Sequence, residues 1–138
     1  MNILVIDAQG GGIGRQLVAA IKQNITNAEI TAVGANSTAT SAMLKAGADY
    51  AATGENAVVV GCRKADIIVG PIGIVIADAL FGEITPRMAK AVGQSAARKI
   101  LIPINHCANI VVGVADLSIS EMVQGVVKEI QSFAGKQA

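Results

Sequence analysis

Between positions 7 and 14 the chain reads Asp7-Ala8-Gln9-Gly10-Gly11-Gly12-Ile13-Gly14, a carboxylate followed by four glycines. Glycine at that density lets the backbone turn tightly and bring several N–H groups against an anion. A helix beginning inside the run would point the positive end of its dipole at the same spot. The chemistry on offer is recognition of a phosphate or carboxylate by Gln9, Gly10, Gly11, Gly12, Ile13 and Gly14. Asp7 could transfer a proton, yet its charge repels a phosphate in the same loop unless a cation or a hydroxyl lies between them. The plainer role for Asp7 is to accept hydrogen bonds from loop N–H groups, as short Asp side chains do in turns. A second constellation, Asn105-His106-Cys107, contains the single histidine of the chain. Histidine titrates near neutrality and can serve as a general acid or base, although one histidine in a loop is most simply a satisfied ring. Cys107 has no recognisable base to activate it as a nucleophile. The catalytic candidates are therefore Asp7 and His106, with Asn105 beside them as a ligand contact.

Read as Gly-x-Gly-x-x-Gly from Gly10 and Gly12, the run puts Arg15 where the third glycine belongs, so the strict dinucleotide pattern fails. It resembles instead the short-chain dehydrogenase variant Gly-x-x-x-Gly-x-Gly, with Ala8 in the first position and Gly12-Ile13-Gly14 fitting the rest. The cofactor stays unknown at this point, with NAD(P) or another nucleotide as the candidates. Two partners of such a site are missing. The second strand ends Gly34-Ala35-Asn36 without the carboxylate that grips ribose hydroxyls, which leaves Asn36 and Ser37 as weak contacts for a ribose or a 2′-phosphate. The only tyrosine, Tyr50, is followed at the catalytic spacing by Gly54 rather than lysine, so short-chain hydride chemistry is not supported. No Lys-Ser/Thr pair follows the glycines, which excludes a P-loop, and Cys62 and Cys107 make no metal-ligand spacing.

These residues must be placed by elements. Ile3-Leu4-Val5-Ile6 is an apolar, β-branched run stopped by glycines, the form of a buried parallel strand. From Ile13 onward Leu17, Ile21 and Ile25 recur at helical spacing, with Arg15, Lys22 and Gln23 around the rest of the cylinder. The same reading predicts a strand over 29–34, a helix over 37–46 ended by Gly47, a helix over 55–64 and a strand over 66–70. Gly70-Pro71-Ile72-Gly73 then stops that strand and offers Gly70 and Pro71 as a ligand-facing turn. Thr85-Pro86 starts a helix running to about residue 97, and strands are expected over 100–104 and 110–114. Ser118-Ile119-Ser120-Glu121 is a capping box before a helix with Ile119, Met122, Val123, Val126, Val127, Ile130 and Phe133 on one face, and residues 130–138 are the end of that helix and a polar tail. Alternation of this kind predicts an α/β fold, a Rossmann-like three-layer sandwich with a mostly parallel sheet in one domain. Ligands bind such sheets outside the carboxyl ends of the strands, where the strand order reverses.

Composition narrows the partners. At 138 residues, 52% hydrophobic and 15% charged, the chain can bury a continuous core without disulfides. Aromatic residues are 2% and the formal charge is +1, which removes the stacking platform and the basic footprint that nucleic acid requires. The apolar stretch over 67–81 contains Pro71 and Asp78 and is too short to span a bilayer, so it is read as core and no membrane partner is expected. The start Met1-Asn2-Ile3-Leu4 lacks a signal-peptide n-region, and the two thiols are expected to be reduced in a cytoplasmic protein. So much apolar content in a short chain also suggests a homo-oligomer that covers some of it.

The segments VIDAQGGGIG, NSTATSAMLKAGA, ATGENA, GPIGIVIADALFGEIT and ILIPIN together resemble a family of short bacterial Rossmann-like proteins known as a domain of unknown function. The resemblance covers nearly the whole chain and implies a bacterial origin and the Rossmann-like fold, without an activity. The leading expectation is a nucleotide- or dinucleotide-binding module whose partner is a nucleotide or another phosphate-bearing small molecule. The alternatives are a small metabolic enzyme with an oligomer-completed site, acting on a phosphorylated or carboxylated metabolite, and a structural or regulatory oligomer without catalysis.

Overall fold

The run Ile3-Leu4-Val5-Ile6 becomes the middle of strand β1, Asn2–Asp7, in which every residue after Asn2 is buried. A strand apolar on both faces needs helices on both sides and strands on both edges. β1 has them: it pairs in parallel with β2, Glu29–Gly34, on one side and with β4, Ile67–Pro71, on the other. The outer strands are β3, Tyr50–Thr53, beside β2, and β5, Arg98–Ile102, beside β4. The sheet is parallel throughout, in the order β3-β2-β1-β4-β5. The computed structural model describes residues 1–104 and 108–137.

The helices are α1, Gly12–Asn24; α2, Ser37–Lys45; α3, Glu55–Lys64; α4, Pro86–Gln94; and α5, Ile119–Gln137, with a short 3-10 helix at Ile72–Val75. One face of the sheet packs Ile3 and Val5 against Leu17 and Ile21 of α1, Met43 of α2, and Val123, Val127 and Ile130 of α5. The other packs Leu4 and Ile6 against Val58 and Cys62 of α3, Ile74, Ile84, and Met88 and Val92 of α4. Each fully buried Leu or Ile in these layers contributes about 1.5–3 kcal/mol by leaving water.

The caps follow the sequence. Thr85 accepts from the Met88 N–H at 3.1 Å, and the capping box closes with Ser118 N–H to Glu121 and Glu121 N–H to Ser118 Oγ, both at 3.1 Å. Gly47 takes the left-handed conformation past α2, at φ 116°. Four readings differ. The strand expected over 100–104 lies two residues earlier, at Arg98–Ile102, in register with β4. β3 was not foreseen, because Tyr50-Ala51-Ala52-Thr53 is short and mostly exposed and owes its conformation to pairing with β2. α4 ends at Gln94 rather than near residue 97, since Ser95 turns to an extended ψ of 141° and spends its hydroxyl on the Cys62 carbonyl at 2.8 Å. The strand expected over 110–114 does not form: Ile110 is 87% and Val112 93% exposed, and among the described residues β5 pairs with β4 alone. β-Branched residues favour a pleated, half-buried surface, and no such surface receives this run.

Candidate functional site

The strand order reverses between β1 and β4, and the register sets Asp7 opposite Gly34 at the carboxyl ends of β1 and β2. The glycine loop leaves the sheet at this point. It turns through Gln9 at φ 53° and Gly11 at φ 73°, with the Gly11 N–H donating to the Ala8 carbonyl at 3.0 Å, and enters α1 at Gly12. Gly11 is the N-cap and has no side chain to cap with, so Asp7 does the work from the strand. Its Oδ1 accepts from the Ala8 N–H at 2.8 Å and its Oδ2 from the Gly14 N–H at 2.7 Å, the latter one of the donors that a helix start leaves unpaired. Asp7 is only 5% exposed, and burial pushes its carboxyl above the usual range. The two N–H bonds oppose that rise and the nearby Glu83 charge adds to it.

The glycines divide by what surrounds them. A Cβ on Gly11 would lie 2.8 Å from Ala39 Cα and 2.9 Å from its carbonyl oxygen, and one on Gly14 would lie 2.5 Å from Met43 Sδ and 2.9 Å from Asp7 Cβ. Both glycines therefore let the loop and α1 pack closely on α2 and β1. Gly10 and Gly12 are exposed, and a Cβ on either would meet nothing within 4 Å. The backbone N–H groups of Gly10, Gly12 and Ile13 have no acceptor among the described residues and lie at or just before the start of α1.

Asn36 joins the loop to the end of β2. Its Oδ1 caps α2 by accepting from the Ala39 N–H at 2.9 Å, while its Nδ2 donates to the Gln9 carbonyl at 2.9 Å and to Glu83 Oε2 at 2.6 Å. Glu83 Oε1 accepts from the Gln9 N–H at 3.0 Å. Ser37 is exposed at the first turn of α2, and with Arg15, Thr38, Ser41 and Lys45 it lines a shallow depression of about 470 Å³ that runs along α2 beside Arg15 of α1. Thr40 and Thr53 hydroxyls, 2.7 Å apart, and a Thr85 hydroxyl donating to Glu55 at 2.6 Å extend the polar rim.

The structure thus gathers Asp7, residues 9–14, Asn36 and Ser37 at one edge. Gly70 and Pro71 stay inside the sheet: β4 runs through Pro71, both are buried, and a Cβ on Gly70 would strike the Ile6 carbonyl, so that glycine serves the close approach of β1 and β4. Asn105, His106 and Cys107 lie outside the described residues. Glu83 is the residue that sequence reasoning missed. Its only signal was a Gly82-Glu83 pair breaking two apolar runs.

Five parallel strands in this order, with a glycine loop at the reversal, define a single-domain Rossmann-like α/β protein. The chain belongs to the family described as Domain of unknown function (DUF3842), whose model matches residues 2–135. No curated protein matches it. Among solved structures it is similar to a dodecameric FMN-dependent Ubix-like decarboxylase from Escherichia coli O157:H7, at 16% identity and a TM-score of 0.47, over 94% of this chain and 76% of that one. A likeness that distant carries no inference about function. Among the described residues no helix is long and apolar enough to cross a membrane.

Proposed function

We infer that this chain binds a nucleotide at the carboxyl edge of its sheet, with the phosphate against Gly10, Gly12 and Ile13. The observation that carries the reading is the open face of the loop. Three N–H groups with no acceptor among the described residues lie at or just before a helix start, two of them on glycines where a side chain would meet nothing. Packing accounts for Gly11 and Gly14 and leaves Gly10 and Gly12 to the ligand. Arg15, exposed one residue past Gly14, partly offsets the charges of Asp7 and Glu83 on an approaching phosphate. Asp7, with each oxygen holding a backbone N–H, shapes the loop in this reading and transfers no proton.

Thermal shift with NAD, NADP, FAD, ATP and phosphosugars tests it. A ligand at a hundred times its Kd stabilises by about 2.7 kcal/mol, so a true ligand raises Tm by several degrees. No rise at millimolar ligand rejects the reading. Self-association is proposed on a separate observation: Phe81 is 97%, Ile110 87% and Val112 93% exposed, apolar side chains that a second subunit would cover.

A further inference from the structure

The second strand of a dinucleotide-binding sheet ends in a carboxylate that holds ribose hydroxyls, whereas β2 here ends in Gly34 and runs on to Asn36. A carboxylate nevertheless stands at that place, supplied by another element. Glu83 reaches back from the segment before α4 and bridges the Gln9 N–H of the glycine loop, at 3.0 Å, to Asn36 Nδ2 just past β2, at 2.6 Å. We propose that Glu83 is the ribose-binding carboxylate of this chain, accepting the vicinal 2′- and 3′-hydroxyls of a nucleotide. The proposal rests on the nucleotide-binding reading above and adds which part of the ligand lies on which side.

Acceptor capacity fits. A carboxylate offers about four lone-pair sites, of which Gln9 and Asn36 take two, leaving room for two hydroxyl donors. Position fits as well, because Asp7 and Glu83 together repel a phosphate at this end of the loop while a diol donates to Glu83. The phosphate is then directed to the Gly12 side, at the start of α1. The segment also holds the acid in place. Leu80 and Ile84, 4% and 0% exposed, anchor it in the core, and Asp78 N–H to the Ile84 carbonyl at 2.7 Å and Glu83 N–H to the Leu80 carbonyl at 3.2 Å close it on itself. Asp78, Leu80 and Phe81 adopt left-handed φ values of 65°, 56° and 58°, a concentration of backbone strain that segments presenting a functional group commonly carry.

Calorimetry on the full chain with ADP, 2′-deoxy-ADP and 2′,3′-dideoxy-ADP tests this. The wild type binds ADP about tenfold or more tighter than the dideoxy nucleotide, with 2′-deoxy-ADP between, since each lost hydroxyl leaves a carboxylate acceptor unpaired. Glu83→Gln levels the three affinities to within about twofold, by the loss of the charge-assisted bonds. Equal binding of all three by the wild type overturns the proposal without any variant. Tighter ADP binding by Glu83→Gln also overturns it, by making the acid a plug on the loop donors. Nucleotide binding without hydroxyl preference removes this inference alone; no binding of the three probes overturns it as well, and the nucleotide reading falls with it only when NAD, NADP, FAD and ATP also give no thermal shift.

Discussion

Substituting alanine at Gly11, Gly12 and Gly14 in turn separates packing from ligand binding inside one loop. At Gly11 the new Cβ meets the Ala39 backbone at 2.8 and 2.9 Å, and the residue sits at φ 73°. Alanine in that left-handed conformation costs about 1–2 kcal/mol. Pushing α2 away adds roughly 1–3 kcal/mol of overpacking, because backbone cannot step aside as a side chain can. At Gly14 the clash is with Met43 Sδ at 2.5 Å and Asp7 Cβ at 2.9 Å. Met43 is fully buried and can yield only partly, so overpacking of roughly 1–3 kcal/mol stands against about 1 kcal/mol gained by replacing a helical glycine. At Gly12 nothing lies within 4 Å, and only the gain remains, about 0.4–1 kcal/mol.

For 138 residues, unfolding entropy of about 2.1 cal/mol/K per residue makes 1 kcal/mol worth about 3.5 °C. The expected order of Tm is therefore Gly12→Ala slightly above wild type, Gly14→Ala about 3 °C below, and Gly11→Ala about 10 °C below. Ligand response runs the other way. Gly12→Ala, the best folded of the three, loses the nucleotide-induced shift because its methyl group occupies the face where the phosphate approaches. Differential scanning fluorimetry with and without ligand reads both quantities at once. A Gly12→Ala protein as unstable as Gly11→Ala, or one that keeps the full ligand shift, refutes the division of the glycines.

Burial raises the Asp7 carboxyl, so its contribution to stability is fully present below the ordinary aspartate range and is lost as pH rises through the raised folded value. Wild type should gain stability relative to Asp7→Asn as pH falls through that window, and a flat difference would contradict the burial. Asp49 shifts the opposite way, held low by the Lys22 ammonium at 2.6 Å and the Ile30 N–H at 2.8 Å. Its contribution is present above the ordinary value and lost on acidification, so Asp49→Asn lowers Tm at pH 7 and leaves it unchanged at pH 2, as thermal unfolding at the two pH values reads. Cys62 is pushed up to about 11 by burial, against the Lys99 charge that lowers it. In a Cys107→Ser background iodoacetamide at pH 8 should label Cys62 only after unfolding, and rapid labelling of the native chain would place the thiol outside the core. Light scattering should find the wild type self-associated and an Ile110→Asp/Val112→Asp variant dissociated, whereas a monomeric wild type withdraws the oligomer.

The elements whose evidence is local could be read in advance. β1 contains four apolar residues in a row, α1 repeats at Leu17 and Ile21, and the caps at Thr85 and Ser118 use neighbours three residues away. What escaped depends on distant partners. β3 exists because β2 lies beside it, and residues 110–114 stay irregular because no edge takes them, although Val111 and Val112 suit a strand as well as any residue in β1. Gly70 looked like a turn signal and is instead a place where the Ile6 carbonyl comes close. Glu83 meets Gln9 and Asn36 across 74 and 47 residues, a separation at which no pattern in the chain announces a contact.

The failed glycine fingerprint has a structural explanation. In the standard motif one glycine makes the tight turn, one lets the ligand approach, and one lets the helix pack closely on the strand. Here Gly11 makes the turn, at φ 73° under the Ala39 backbone, Gly12 leaves open space where the proposed ligand would approach, and Gly14 allows the close packing against Asp7 and Met43. Each of the three roles is filled, at spacings of one and two residues rather than two and three. The shortening works because Gln9 takes a left-handed φ of 53° and part of the turn is made before the glycines begin. Arg15 then falls one residue beyond the close contact, at an exposed position where a side chain costs nothing. The absent third glycine is thus no argument against a nucleotide. The missing acid at the end of β2 remains the stronger objection, and Glu83 is where the proposed answer to it is tested.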